Sequence, residues 1–246
     1  MRKETELKEL IYKRKSTRAY TKTPVDSETL SKIKEYIESI EPLFPEIKTR
    51  LEIVSRDRVR SMFKWLPEYA VAAFSEEVEG YLENVGFILG KLDLYLHSLG
   101  LGSCWIGMGR MGEGCADRDD GQRFVILLFF GYPESGSPYR ELSDFNRKAL
   151  SEISDTTDER LEPARLSPSS INSQPWYFAH GEDGAVHVYR TADNFLRAKV
   201  IARFNSIDVG IAIAHLAVSY PDSFIYRKLD TPPEIKGKVY VGTVYI

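Results

Sequence analysis

Two apolar helical stretches, 124 positions apart, constrain this chain more than any other feature in it. In the first, Val85, Ile88, Leu89, Leu92, Leu96 and Leu99 recur at three- and four-residue spacing and form one stripe. Gly100-Leu101-Gly102 ends it. Ile207–Val218 is the second. Asn84-Val85-Gly86 is echoed by Asp208-Val209-Gly210, and Leu92 by Leu216, at the same offset of 124. Each stretch is followed by an apolar run with strand character, FVILLFF at Phe124–Phe130 and KVYVGTVYI at Lys238–Ile246. Gly86 and Gly90 sit four apart inside the first stretch, where another backbone can come close. The pattern predicts an old internal duplication with diverged copies. The halves would be residues 1–150 and a shorter 151–246, packed as one compact unit about a pseudo-twofold axis through Val85–Leu99 and Ile207–Val218. Chance similarity between two buried helices is the alternative.

The remaining periodicity fills in an α+β chain, each half a mixed sheet flanked by helices. Glu4–Lys13 and Ser27–Ile40 read as helices, the second opened by Asp26-Ser27 and carrying Leu30, Ile33, Ile37 and Ile40 on one face. Leu51–Ser55 and Trp176–Ala179 read as strands. Phe124–Phe130 reads as a strand buried on both faces, stopped by Gly131-Tyr132-Pro133. Residues 61–77 fit neither period, and the polar stretch 134–160 connects the halves. With 33 basic and 36 acidic side chains the net charge is −3, so no global field draws nucleic acid or an anionic membrane. No apolar run approaches the roughly 18–20 residues of a membrane span. The polar start MRKETELKEL has no apolar signal core. Cys104 and Cys115 make no disulfide framework, and a cytoplasmic location is expected.

Two short strings carry chemistry. Arg14, Lys15, Ser16 and Arg18 put three cations and a hydroxyl within five residues, a set suited to a phosphate carrying about −1.5 to −2 charge. Composition alone also fits a solvated basic turn. Pro168-Ser169-Ser170-Ile171-Asn172 sets hydroxyls and an amide in a turn beside the rigid Pro175-Trp176. Gly107-Met108-Gly109-Arg110-Met111-Gly112 matches a dinucleotide fingerprint literally, yet the residues after it make a poor helix where that fingerprint needs a good one. His97, His180, His187 and His215 lack metal-ligand spacing, and no metal site is expected. His97 and His215 fall on the apolar helices and read as packed or interface groups. Cys104 has no neighbouring base and reads as a small buried side chain.

Together, RKSTRAY at Arg14–Tyr20 and SPSSINSQPW at Ser167–Trp176 resemble the two signatures of the flavin-dependent nitroreductase family. Ordinary members carry them about one helix apart; here Ser16 and Ser169 are 153 positions apart. The family resemblance implies a homodimer with flavin mononucleotide (FMN) at the subunit interface, one signature drawn from each subunit. The spacing here then resembles single-chain members of the Thermotoga type, in which the two subunits are fused. The resemblance implies that Arg14, Lys15, Ser16 and Arg18 hold the phosphate and ribityl chain. It implies that Pro168, Ser169, Ser170 and Asn172 complete the site, and that Arg147 and Lys148 form a late basic pair at the phosphate. Gly100 to Gly107 resembles the family stretch lying against the flavin ring, so a backbone N–H from Ile106, Gly107 or Met108 would face flavin N5. A mirror site would need equivalents at Ser154–Arg160 and Ser39–Phe44. The first is acidic and the second lacks the paired hydroxyls. The resemblance thus implies one FMN per chain and a chain able to act as a monomer. It also implies that NADH or NADPH reduces the flavin before an electron-poor small molecule, such as a nitroaromatic or quinone, enters. No catalytic side chain is required. A non-catalytic flavin- or ligand-binding store or sensor, and a plain dinucleotide-binding domain, are the other readings left open. Residues 41–80 match nothing in the family pattern.

Overall fold

The computed structural model describes residues 2–113, 118–192 and 198–246. Helix α1 (Arg2–Ile11) is followed by α2 (Ser27–Ser39), whose start is fixed by the Asp26 side chain accepting the Thr29 N–H at 2.9 Å. Strands β1 (Thr49–Ser55), β2 (Val59–Arg60) and β3 (Tyr69–Ser75) lead into α3 (Tyr81–Ser98). Then come β4 (Gly102–Ile106), β5 (Arg110–Met111), β6 (Arg118–Asp119) and β7 (Gln122–Gly131). Two short helices, α4 (Leu150–Ile153) and α5 (Glu162–Arg165), precede β8 (Trp176–His180), β9 (Ala185–Thr191), α6 (Ala198–Ser219), β10 (Ile225–Arg227) and β11 (Lys238–Tyr245). The expected helices and strands are present. The undecided stretch 61–77 contains β3. Its residues are buried on both faces, so no alternation marks it as a strand. Cys104 is a free buried thiol, and Cys115 lies outside the described residues.

The two main sheets share one topology. The first runs β1-β3-β7-β4, with β6 also on β7; the second, read from its other edge, runs β8-β9-β11-β10. Both therefore place two strands before a long helix and two after it, in the order 1-2-4-3. The named ladders are antiparallel, and each sheet gains one parallel bridge at an edge, Ser16 to Ser103 beside β4 and Ser154 to Phe178 beside β8. Even an irregularity repeats. The register shifts at Val125 in β7 and at Val241 in β11, the fourth residue of each strand, and both side chains are buried.

Helices α3 and α6 lie back to back between the sheets. One core packs α1, α2 and α3 on the inner face of the first sheet, through Leu89, Leu92, Leu96, Val71 and Leu128. A second packs α6 on the other sheet through Val209, Ile213, Leu216, Val188 and Val244. A third covers the outer face of the first sheet with Phe63, Trp65 and Leu66, which is why FVILLFF is apolar at every position. Among the described residues no helix is long and apolar enough to cross a membrane.

The helix crossing obeys the 124-residue offset. A Cβ on Gly86 would fall 2.1 Å from the Ile207 carbonyl oxygen, and a Cβ on Gly210 would fall 2.1 Å from the Glu83 carbonyl oxygen. Gly210 is Gly86 plus 124 and Ile207 is Glu83 plus 124, so the two contacts are exchanged by a twofold operation. Gly90 faces Ala214, its own equivalent. Gly86→Ala and Gly210→Ala each force the backbones apart. Each should cost about 1–3 kcal/mol, as overpacking does, and lower the thermal midpoint by several degrees. Gly90→Ala, whose methyl would meet the Ala214 Cβ at 3.1 Å, should cost less. Thermal denaturation of the three variants checks the ranking.

Candidate functional site

The basic turn is laid along an edge strand. After α1 ends, Arg14 N donates to Leu10 O at 2.8 Å, and the chain passes β4 with Thr17 N donating to Ser103 O at 2.8 Å. Gly102 leaves room for this pass, since a Cβ there would overlap the Thr17 side chain. The turn is not the solvated one that composition permits: the Arg14 side chain is 1% exposed. Its Nε lies 3.2 Å from Asp93 Oδ2 on α3. Asp93, itself fully buried, accepts the Ser103 hydroxyl and the Trp105 Nε1–H, the latter at 3.2 Å. Burial raises the Asp93 carboxyl, but Arg14, His97 and the two hydrogen bonds outweigh it and the net direction is down. His97 is buried beside it, with Nδ1 2.8 Å from Asp93 O and Nε2 3.2 Å from Lys15 O. Desolvation lowers its pKa against the pull of Asp93.

The second signature is held from α6. Ser170 N donates to both carboxyl oxygens of Asp208, at 3.1 and 3.0 Å, and Gln174 N donates to Ser169 Oγ at 2.9 Å. Burial pushes the Asp208 carboxyl up to about 8, against the opposite pull of Ser170 and Ser173. Ile171, Asn172 and Gln174 have φ of 48°, 58° and 48°. Asn172 suits the left-handed region; a β-branched Ile171 does not, and its side chain is 93% exposed. Such strain persists only where surroundings impose it, and it clusters at ligand sites.

The late basic pair holds the second signature, and Arg147 lies within the electrostatic reach of Arg14 of the first. Arg147 Nη1 donates to Asn172 Oδ1 at 2.7 Å, and its Nε donates to Ser167 O at 3.0 Å. Lys148 Nζ donates to the carbonyls of Ser173 and Gln174, at 3.0 and 3.1 Å. Burial first, then the charges of Arg140, Arg14 and Arg165, lowers the Arg147 guanidinium to about 10. Arg140, whose Nε donates to Arg14 O at 3.1 Å, is lowered to about 10 by burial and by Arg14. Arg165 is neutralised by Glu162. His215 on α6 turns Nδ1 toward Pro163 O at 3.1 Å and leaves Nε2 buried without a partner. Burial, then the Arg14 charge, pushes it down to about 3.

Of the sequence-predicted residues, Arg14, which donates to the Ser16 hydroxyl, lies in the electrostatic reach of Arg147, which is bonded to Asn172. Ser169 and Ser170 are tied to Gln174 and Asp208, the Lys148 ammonium is engaged by the Ser173 and Gln174 carbonyls and acts on Lys238, and Pro168 is buried. The Lys15 backbone ties the turn to Pro138 and His97. Arg18 is exposed and acts, with Arg14, on Cys104 and Tyr20 at the β4 side. Ile106 ends β4, and Gly107 and Met108 are exposed just past it. A Cβ on Gly107 would meet the Phe204 ring of α6, so that corner abuts the helix carrying Asp208. Sequence reasoning missed Asp93 and Arg140 and gave Asp208 and His215 no role in a site. An acid inside Leu92-Asp93-Leu94 was the available signal for Asp93. Among the described residues no group of His, Cys, Asp and Glu could hold a metal ion.

Residues 6–220 match the family model described as a putative TM nitroreductase. The fold is similar to that of a putative nitroreductase from Thermotoga maritima, at 18% identity and a TM-score of 0.62, over 97% of this chain and 92% of that one. A nitroreductase family protein from Clostridium novyi aligns at 20% identity and a TM-score of 0.43 over 56% of this chain and 90% of its own. An FMN-dependent nitroreductase from Clostridium difficile aligns at 19% identity and a TM-score of 0.42, over 55% and 92%. None of the curated proteins compared matches the chain.

Two buried groups give opposite pH slopes. His215 is held below its ordinary 6.5, so its neutral form favours folding; that stability is complete above pH 6.5 and is lost as pH falls toward 3. Asp208 is held above its ordinary 3.8, so stability falls as pH rises from about 4 to about 8. Each pKa unit between folded and unfolded chain is worth about 1.4 kcal/mol. In thermal melts, Asp208→Asn should gain on the wild type as pH rises through that window. His215→Gln should gain on it as pH falls below 6.5.

Proposed function

This chain belongs to the putative TM nitroreductase family, an enzyme family of the oxidoreductase class, and from that premise we propose that it is an FMN-dependent NAD(P)H oxidoreductase. The observation that carries the reading is the guanidinium cluster joining the two signatures. Arg147 is bonded to Asn172 of the second while it shares one electrostatic region with Arg14 of the first. Arg140 and Arg147, both lowered by burial and by the Arg14 charge, form with Arg14 a costly arrangement unless an anion joins them. A phosphate dianion fits that donor set, and the partnerless His215 nitrogen lies within the same field.

In this reading Arg14, Lys15, Ser16, Arg18, Arg147 and Lys148 hold the phosphate and ribityl end. Pro168, Ser169, Ser170 and Asn172 close the site from the second half, and Ile106, Gly107 and Met108 offer backbone N–H groups to the ring. The flavin supplies hydride chemistry when bound. The chain's own residues bind it, orient it and fix the cations around its anionic end. The donor is NADH or NADPH and the acceptor an electron-poor small molecule, a nitroaromatic or quinone. The halves 1–150 and 151–246 stand for the two subunits of a dimer, so one chain makes a complete site and functions as a monomer.

Arg14→Ala and Asn172→Ala lie 158 positions apart in sequence, yet each should weaken FMN binding. A lost charge-assisted contact is worth roughly 1.5–3 kcal/mol. Flavin fluorescence quenching measures this, and an unchanged affinity removes that residue from the site. One small site beside the flavin holds donor or acceptor, not both. Initial rates should therefore give parallel double-reciprocal lines, whereas intersecting lines would mean a ternary complex.

A further inference from the structure

We propose that Asp93 is a positioning residue for the cofactor's phosphate, acting through Arg14. The inference rests on the flavin reading above. Asp93 is fully buried in the middle of α3, between Leu92 and Leu94, where an ionised carboxylate is expensive unless it is paired. Each oxygen accepts one hydrogen bond, and Arg14 adds an ion pair that lacks hydrogen-bond geometry. Oδ1 takes the Ser103 hydroxyl, while Oδ2 takes the Trp105 indole N–H and faces Arg14 Nε at 3.2 Å. Both donors come from β4, the strand along which the basic turn is laid, so the acid, the strand and the turn are locked to one another.

The pairing also sets the charge of the site. Arg165 is cancelled by Glu162, and Asp93 cancels one of the remaining three guanidiniums. The charges of Arg140 and Arg147, with the other cations of the turn and the late pair, are left over to meet a phosphate of about −2. Without Asp93, Arg14 is a buried cation beside two others and is driven out of the position where it can reach the ligand. The twofold makes the assignment specific. The residue 124 positions after Asp93 is Ala217, on the equivalent turn of α6, so the mirror position has no acid with which to hold a second Arg14.

Asp93→Asn keeps the shape and removes the charge. The readout is the ratio of FMN to riboflavin affinity, because the two ligands differ only in the phosphate. We expect that ratio to fall about tenfold or more, equivalent to about 1.4 kcal/mol, with riboflavin affinity unchanged. Arg14→Gln should lower it similarly, and the double variant should lower it no further, because the two residues act as one unit. If Asp93→Asn retains the wild-type ratio while Arg14→Gln loses it, Asp93 is structural only and the proposal is overturned, with the flavin reading intact. If the wild-type chain itself binds FMN no better than riboflavin, the flavin reading falls and this proposal falls with it. Should Asp93→Asn not fold, Ser103→Ala removes one donor from the same carboxylate. It should lower the ratio about two- to fivefold, and an unchanged ratio overturns the proposal.

Discussion

The contact on which the rest depends is the crossing of α3 and α6 at Gly86 and Gly210. At both points a carbonyl oxygen occupies the space a Cβ would need. That closeness fixes the distance and angle between the two helices, and each helix is the inner wall of one sheet. It also sets the site. Asp93 on α3 grips the basic turn, Asp208 on α6 grips the Pro168–Asn172 loop, and the helices are locked face to face. Two signatures far apart in sequence are therefore held at a spacing that neither loop determines alone.

The site stores unfavourable energy that this frame supports. Two carboxylates and two histidines are buried, His215 lacks one partner, and a β-branched residue holds a left-handed backbone. Each is destabilising by itself. They persist because large apolar cores on both sides over-determine the backbone here. The strained, polar groups lie around the two signature segments, while the contact of α3 with α6 and the faces of the first sheet are apolar.

Most of this frame was legible in the sequence. The stripe from Val85 to Leu99 and its echo specify two buried helices, and the closing runs specify strands. The family model over residues 6–220 and the nitroreductase-like fold agree with the resemblance carried by the two short strings. What sequence periodicity could not reveal was β3, because strands buried on both faces lose the alternation that marks them. Nor could it reveal that Arg14 is buried, since the acid that permits this is 79 residues away on another element. The late pair carries a related lesson. The resemblance implies that Arg147 and Lys148 are phosphate ligands; the structure shows them clasping the loop of the second signature.

The twofold survives in packing and is lost in charge. In the second half, Asp208 takes the Ser170 N–H; in the first, Asn84, its equivalent at the offset of 124, takes the Phe44 N–H at 2.9 Å. Pro42 and Pro168 stand two residues before those donors, so Pro42-Leu43-Phe44 is the counterpart of Pro168-Ser169-Ser170. The anchoring hydrogen bond has thus been kept on both sides, while the left-handed backbone of Ile171, Asn172 and Gln174 has no counterpart after Phe44, and a leucine and a phenylalanine stand in place of the two hydroxyls. The charged positions diverge likewise. Asp93 corresponds to Ala217, and His215 to Lys91. An apolar Phe44 packs edge-on against Tyr226. At the crossing itself the backbones touch, and there the geometry is constrained. Side chains at the mirrored loop carry no such constraint, and there the exchange of polar for apolar groups strengthens the core. A fold built on a twofold contact can in this way keep its symmetry where the backbones touch and concentrate its polar chemistry in one of two equivalent places.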